Sequence, residues 1–196
     1  MLPCPYVYDK ARLIVREMTD LLSYDLAAKG LVTDQLVLTV GYDAECLRDP
    51  DIRRAYHGPV TTDHYGRKTP KSAHGTQNLS APTCSTKKLL EAVTALYERI
   101  TDPGLLVRRI TIAACRLQAE HALPEQPFEQ LDLFTTQQEQ RAREQETAAL
   151  ERERRLQQAV LGIRSRFGKN AILKGMNLED GATTAERNRQ IGGHKA

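Results

Sequence analysis

Between residues 9 and 29 the apolar positions Leu13, Ile14, Leu21, Leu22 and Leu26 recur at helical spacing, with Glu17 and Lys29 in the same period. This predicts an amphipathic helix that Asp9 can cap and Gly30 can end. Leu36, Val37, Leu38, Thr39, Val40 and Tyr42 then make a β-rich run, predicted as a buried strand and stopped by the acidic, proline-containing stretch 43–51. From Arg53 to Leu79 glycine, proline, histidine and basic residues alternate. That mixture fits an exposed hairpin or edge strand around 65–74 better than any helix, and Pro70 implies an irregular edge. Ser85 or Thr86 can cap a second helix whose Leu89, Leu90, Val93, Leu96, Tyr97 and Ile100 form one apolar face, and Asp102-Pro103-Gly104 terminates it. A strand follows over 107–117. Strict alternation puts Val107, Arg109, Thr111, Ala113 and Cys115 on one face and Arg108, Ile110, Ile112, Ala114 and Arg116 on the other, so one of the two arginines points off the sheet.

The order helix, strand, strand, helix, strand describes an α+β fold, an antiparallel sheet with two helices on one face. Its first strand is missing: Met1-Leu2-Pro3-Cys4-Pro5-Tyr6 reads as the end of a strand entering a turn. Residues 136–166 are dominated by Gln, Glu, Arg and Ala, with no large apolar residue up to Ala148, which predicts a long, mostly solvated charged helix. Leu150, Leu156, Val160, Leu161 and Ile163 do not sustain a coiled-coil repeat, so only its second half is expected to pack on a partner. From Gly168 onward the chain is rich in glycine, asparagine and basic residues, and is expected to be extended or disordered until bound. The expected division is a domain at 1–120, a linker at 121–135, the charged helix at 136–167 and a flexible basic tail at 168–196.

A 196-residue chain that is 40% hydrophobic and lacks tryptophan has material for one aliphatic core and a tail. Its net charge of +3 conceals an asymmetry: Arg53, Arg54, Arg67, Lys68, Lys71, Lys87 and Lys88 share a window whose one acid is Asp63. Such an excess suits a polyanion such as DNA, although a solvated basic surface would look the same. Cys4, Cys46, Cys84 and Cys115 are scattered, without zinc-type spacing, and read as free cytosolic thiols. His57, His64, His74 and His121 have no ligand-like spacing either. The first thirty residues lack an uninterrupted apolar core of the secretory kind, and no later run approaches the roughly eighteen apolar residues of a membrane span. A soluble, cytoplasmic protein is expected.

The linker carries Gln130-Leu131-Asp132-Leu133-Phe134, apolar anchors between proline-bearing and glutamine-rich polar sequence. It resembles the pentapeptide by which bacterial replication and repair proteins hold the sliding clamp, in which the Leu-Phe pair fills an apolar pocket and the glutamine bonds at its rim. Other stretches point the same way. They are residues 10–22 (KARLIVREMTDLL), 29–43 (KGLVTDQLVLTVGYD), 62–68 (TDHYGRK), 73–76 (AHGT) and 105–111 (LLVRRIT), with 163–171 (IRSRFGKNA), 181–184 (GATT) and 187–195 (RNRQIGGHK). Together they resemble the C-terminal part of a bacterial Y-family, UmuC-like translesion DNA polymerase: its little finger domain and the tail behind it. The resemblance implies a β-α-β-β-α-β domain that grips primer-template DNA across the major groove, with phosphates held by backbone amides and basic side chains of the sheet. Here those side chains would be Arg67, Lys68, Lys71 and His74 of one strand and Arg108 or Arg109 of another. Their task would be electrostatic and independent of base sequence.

In that family nucleotidyl transfer requires palm carboxylates that clamp two magnesium ions. Asp49 and Asp51 around a proline, and Glu179 and Asp180 in the tail, read as solvated charges, and no cofactor is expected in this chain. Magnesium is expected only in a palm this sequence lacks, so the chain as it stands is read as non-catalytic. The initial Met1 before an interrupted sheet is the pattern of a truncated gene product or a misplaced start. A competing reading makes it a protein-interaction subunit that uses the charged helix, with the basic surface incidental.

Overall fold

The computed structural model of the chain describes residues 1–122, 137–191 and 194–195. Its first helix, α1 (Tyr8–Lys29), ends as the sequence predicts: Gly30 takes a left-handed φ of 62° and its N–H turns back to the carbonyls of Leu26 and Ala27. The start differs. Val7 is the N-cap, and Asp9 sits in the first turn, where a negative charge still favours the helix dipole. Strand β1 (Leu31–Tyr42) leads through a 3-10 turn (Ala44–Leu47) to the short helix α2 (Pro50–Ala55), capped by Asp49 and opened by its proline. The hairpin of β2 (Val60–Thr62) and β3 (Lys68–Pro70) follows, then β4 (Ala73–Thr83), α3 (Thr86–Ile100), β5 (Val107–Cys115) and the short β6 (Gln118–Ala119). The charged helix α4 spans Gln137–Phe167, and the chain closes with a 3-10 turn (Gly175–Leu178), α5 (Thr184–Arg187) and the two-residue strands β7 (Gln190–Ile191) and β8 (His194–Lys195).

The antiparallel sheet runs β4-β1-β5, with β6 pairing the first residues of β1. Helices α1 and α3 cover one face, α1 against β5 and α3 against β4. The core is aliphatic, as the composition requires: Leu36, Leu38 and Val40 of β1 meet Ile14 and Val15 of α1 and Leu89, Val93 and Leu96 of α3. Each such side chain contributes about 1.5–3 kcal/mol by leaving water. Tyr97 is also fully buried, with its ring 4.9 Å from that of Tyr8 and its hydroxyl donating to the Tyr8 carbonyl at 2.9 Å. Strand β1 is therefore half-buried rather than buried on both faces, because Val37 and Thr39 look away from the helices. Gly75 of β4 is required at the layer interface: a Cβ there would lie 2.9 Å from both Leu96 and Ile100 of α3.

Met1–Tyr6 lies beside β5, where the predicted strand remnant belongs. Tyr6 and Val107 exchange backbone hydrogen bonds of 2.8 Å, and the Leu2 N–H donates to the Arg108 carbonyl. The second half of α4 packs as its apolar content predicts, but onto this same domain. Glu153 accepts from the Ser85 hydroxyl and the Lys87 N–H at the start of α3, Gln157 donates to Cys84 O and Thr86 Oγ1, and Arg154 pairs with Glu120.

The segment after Gly168 departs most from its expectation. Its composition reads as extended until bound; the partner it needs is α1 of its own chain. Glu17 is fully buried and accepts from Asn177 Nδ2 at 2.9 Å, from the Thr183 N–H at 2.8 Å and from the Thr184 N–H at 3.3 Å, with the Arg187 guanidinium 3.7 Å away. Lys174 pairs with buried Asp20, and Asp180, exposed as the sequence suggests, makes a surface ion pair with Lys10 at 2.6 Å. Burial lowers the pKa of the Arg187 guanidinium, against the raising pull of Glu17.

Candidate nucleic-acid interface

The face of the sheet turned away from the helices is a small-residue, hydroxyl-rich surface. Rows run across it in register: His74, Thr39 and Thr111; Thr76, Val37 and Ala113; Asn78, Gln35 and Cys115. The rows are tied laterally, His74 Nδ1 to Thr39 Oγ1 at 2.9 Å and Gln35 Nε2 donating to Asn78 Oδ1 at 2.9 Å. Short side chains let an extended backbone approach closely. Strand β4 pairs only with β1 among the described strands, which leaves the amides of its outer edge for other acceptors.

The basic residues assigned to one strand are distributed over a turn, two strands and the link between them. Arg67 closes the β2–β3 turn, Lys68 begins β3, Lys71 lies in the link to β4 and His74 is the second residue of β4. All four are exposed. Arg67 is not a free cation. Asp63, the one acid of the basic window, accepts from Arg67 Nε at 2.8 Å and pairs with its terminal nitrogen at 2.7 Å. Asp63 Oδ1 also accepts the N–H groups of Tyr65 and Arg67, both at 2.9 Å, and Gly66 turns the chain at φ 76°. Partial desolvation pushes the Asp63 carboxyl up, but these hydrogen bonds and the Arg67 charge outweigh it and hold the carboxyl below the ordinary carboxylate range.

Strict alternation along β5 fails at its start. Gly41 faces Arg109 while Tyr42 faces Val107, so Arg108 is an extra residue opposite β1, a β-bulge. The bulge resets the pleat: Val107 and Ile110 point to the core, Arg109 is exposed on the open face, and Arg108 turns aside to Asp43 at 3.5 Å. Val107 and Arg109 thus lie on opposite faces, against the expectation from alternation. Gly41 makes room, since a Cβ there would sit 3.2 Å from the Arg109 Cβ.

Two concavities border this surface. One, of about 550 Å³, has Arg48, His64, Tyr65, Arg67, Arg108 and Arg109 in its lining; the other lies between α2 and the hairpin and includes Arg53 and Lys68. Arg48, Thr39, Thr76 and Tyr65 were not among the DNA-contact residues expected from the sequence. Thr39 and Thr76 were recoverable from period-2 alternation against buried Leu38 and the small Gly75, whereas Arg48 depends on how the turn after β1 folds back. Among the described residues no three His, Cys, Asp or Glu side chains converge as a metal site would require, and no helix is long and apolar enough to cross a membrane.

Gln130, Leu131, Asp132, Leu133 and Phe134 lie outside the described residues. The flanks are anchored, at Glu120 on one side and through Arg154 and Gln157 of α4 on the other. A family model described as the impB/mucB/samB family C-terminal domain matches residues 6–133. No curated protein and no solved structure matches the chain.

Proposed function

From the premise that the chain belongs to the impB/mucB/samB family, through the C-terminal, non-catalytic domain of UmuC-like Y-family polymerases of translesion synthesis, we propose that it is a DNA grip tethered to the sliding clamp. The observation that carries the DNA half is an imbalance of pairing. Lys68, Lys71 and Arg109 are exposed and take no carboxylate partner among the described residues, with Arg109 on the face of hydroxyls and amides and Lys71 in the link that leads into its strand β4. Phosphates accept from such groups whatever the base sequence, as copying a damaged template requires. Arg67 and Arg108, already paired to Asp63 and Asp43, act by shaping the turn and the bulge and add charge only at short range. No step of nucleotidyl transfer is assigned to these residues.

Gln130–Phe134 supplies the second contact, with Leu133 and Phe134 as anchors in an apolar pocket of the clamp and Gln130 at its rim. Two weak sites joined by one chain reinforce each other through effective concentration. The test is binding to primed DNA with and without clamp. Replacing Lys68 and Lys71 together by glutamine should flatten the dependence of log affinity on log salt by about 1.8, two phosphate contacts' worth. Leu133→Ala with Phe134→Ala should abolish the gain from clamp and leave the salt slope alone. An unchanged slope in the first variant defeats the DNA assignment, and an unchanged gain in the second defeats the clamp assignment.

One observation favours a second reading. Leu156, Ile163 and Phe167 of α4 are 60%, 37% and 75% exposed and share one side of the helix, as an apolar docking stripe would. Binding of a protein there should scarcely respond to salt, which separates it from a phosphate grip.

A further inference from the structure

The tip of the β2–β3 hairpin presents an aromatic ring that the fold of this chain does not use. Tyr65 is 77% exposed, yet its backbone is fixed from several sides. Asp63 Oδ1 holds the Tyr65 N–H, the Asp63 N–H donates to the Arg67 carbonyl at 2.8 Å, and the Gly66 N–H returns to the Asp63 carbonyl at 3.0 Å. The ring has two neighbours: the Arg67 guanidinium lies 5.3 Å from its centroid and the His64 ring meets it edge-on at 5.4 Å and 73°. A ring carried on a hydrogen-bonded turn has less backbone freedom to lose when a ligand binds.

Its surroundings define the ligand. Tyr65 shares the 550 Å³ groove with Arg48 and Arg109, which have no ion-pair partner among the described residues, and with the hydroxyls of Thr69 and Ser72. Of the acids in that lining, Asp63 is taken by Arg67 and Asp43 by Arg108, leaving Glu45 as the uncommitted carboxylate. A flat ring beside free guanidiniums and hydroxyls is complementary to a flat, neutral group carrying an anion: a nucleobase with its phosphate. The volume falls within the range of roughly 300–1,000 Å³ common for small-ligand sites.

We propose that Tyr65 is a stacking platform for an unpaired base of the DNA strand whose phosphate Arg109 holds, so that this domain distinguishes a duplex ending in single strand from a continuous duplex. The inference rests on the DNA-binding reading above and adds to it a preference that phosphate contacts alone do not give. Stacking is indifferent to which base is presented, in keeping with a contact that must accept a damaged one.

The test uses the full chain and two DNA probes, a blunt duplex and the same duplex with a short single-stranded extension carrying a fluorescent adenine analogue at its first unpaired position. Wild type should bind the extended probe more tightly and quench the analogue. Tyr65→Ala should lose about tenfold on the extended probe with affinity for the blunt duplex unchanged. Tyr65→Trp should restore both the preference and the quenching. Free deoxyadenosine monophosphate, titrated as competitor, should displace the extension only weakly because it lacks the rest of the strand; full displacement by the free nucleotide would show a mononucleotide site and overturn the proposal. Equal losses on both probes, or no loss on the extended one, would overturn it too. Failure of wild type to bind either probe would bring down the DNA-binding reading itself, and this inference with it, which sets that outcome apart from failure of the stacking step alone.

Discussion

The two faces of this domain treat charge in opposite ways. Behind the sheet the charges find each other: Glu17 with Arg187, Asp20 with Lys174, Asp180 with Lys10, Glu120 with Arg154 and Glu146 with Lys88. In front, the acids Asp63 and Asp43 each hold one arginine in a turn or a bulge, while Lys68, Lys71 and Arg109 stay uncommitted among the described residues. A buried charge left without a partner is costly, so pairing is forced by desolvation at Glu17 and Asp20, whereas Asp180 with Lys10 and Glu146 with Lys88 are exposed surface pairs. The front is solvated and can leave cations waiting for an outside anion at little cost. Charge that is spent on a pair and charge that is free for a ligand are therefore told apart by partner, with the costliest pairs at buried Glu17 and Asp20, none of which net charge reports.

The comparison breaks most easily at Glu17. Glu17→Ala strands Arg187, the Asn177 amide and two backbone N–H groups, and should destabilise the protein by about 3–5 kcal/mol in urea unfolding. Hydrogen exchange should rise across 174–187 first, and the salt slope of DNA binding should not change. If the loss is under about 1 kcal/mol, the pairing behind the sheet is no more than a surface ion pair. Gly75→Ala tests the layers without touching charge. Its methyl group would press on Leu96 and Ile100, costing about 1–3 kcal/mol, again with an unaltered salt slope, because His74 beside it faces the other way.

The smallest effect is at the front turn. The Asp63 pKa is lower in the folded hairpin than in the unfolded chain, so its contribution is complete above the ordinary carboxylate range and is lost as pH falls through the lowered value. Acid titration followed by the amide resonances of Tyr65 and Arg67 should show the turn loosening over that window, with Asp63→Asn showing no such transition. A turn that stays fixed through the acid range would mean that Gly66 and the strand pairing, not the carboxylate, hold the tip.

Much of this was legible before any coordinate. The helical periods of 9–29 and 86–100 gave α1 and α3, the β-rich runs gave β1 and β5, and Gly30 and Ser85 marked the ends where they fall. The bulge at Arg108 was hidden because alternation assumes an unbroken ladder, and the signal against it, Val107 buried with Arg109 exposed, needs the partner strand. Pairing of Arg67 with Asp63 could have been read from Asp63 and Gly66 in a turn four residues wide. The docking of 168–191 could not. The segment's apolar residues Ile172, Leu173, Met176 and Leu178 are too few to sustain a period that would announce a partner, and Glu17 in a helical period looks like any other surface acid until Asn177 and Thr183 reach it.

That last contact spans 160 to 167 positions. Closing so long a loop carries an entropic cost that precedes any reward from the contact, and the donors are synthesised after the sheet they return to. The sheet and its two helices can assemble first, with the Glu17 carboxylate still in water. A chain cut before Thr184 would leave part of the Glu17 carboxylate unsatisfied, an acidic notch on α1.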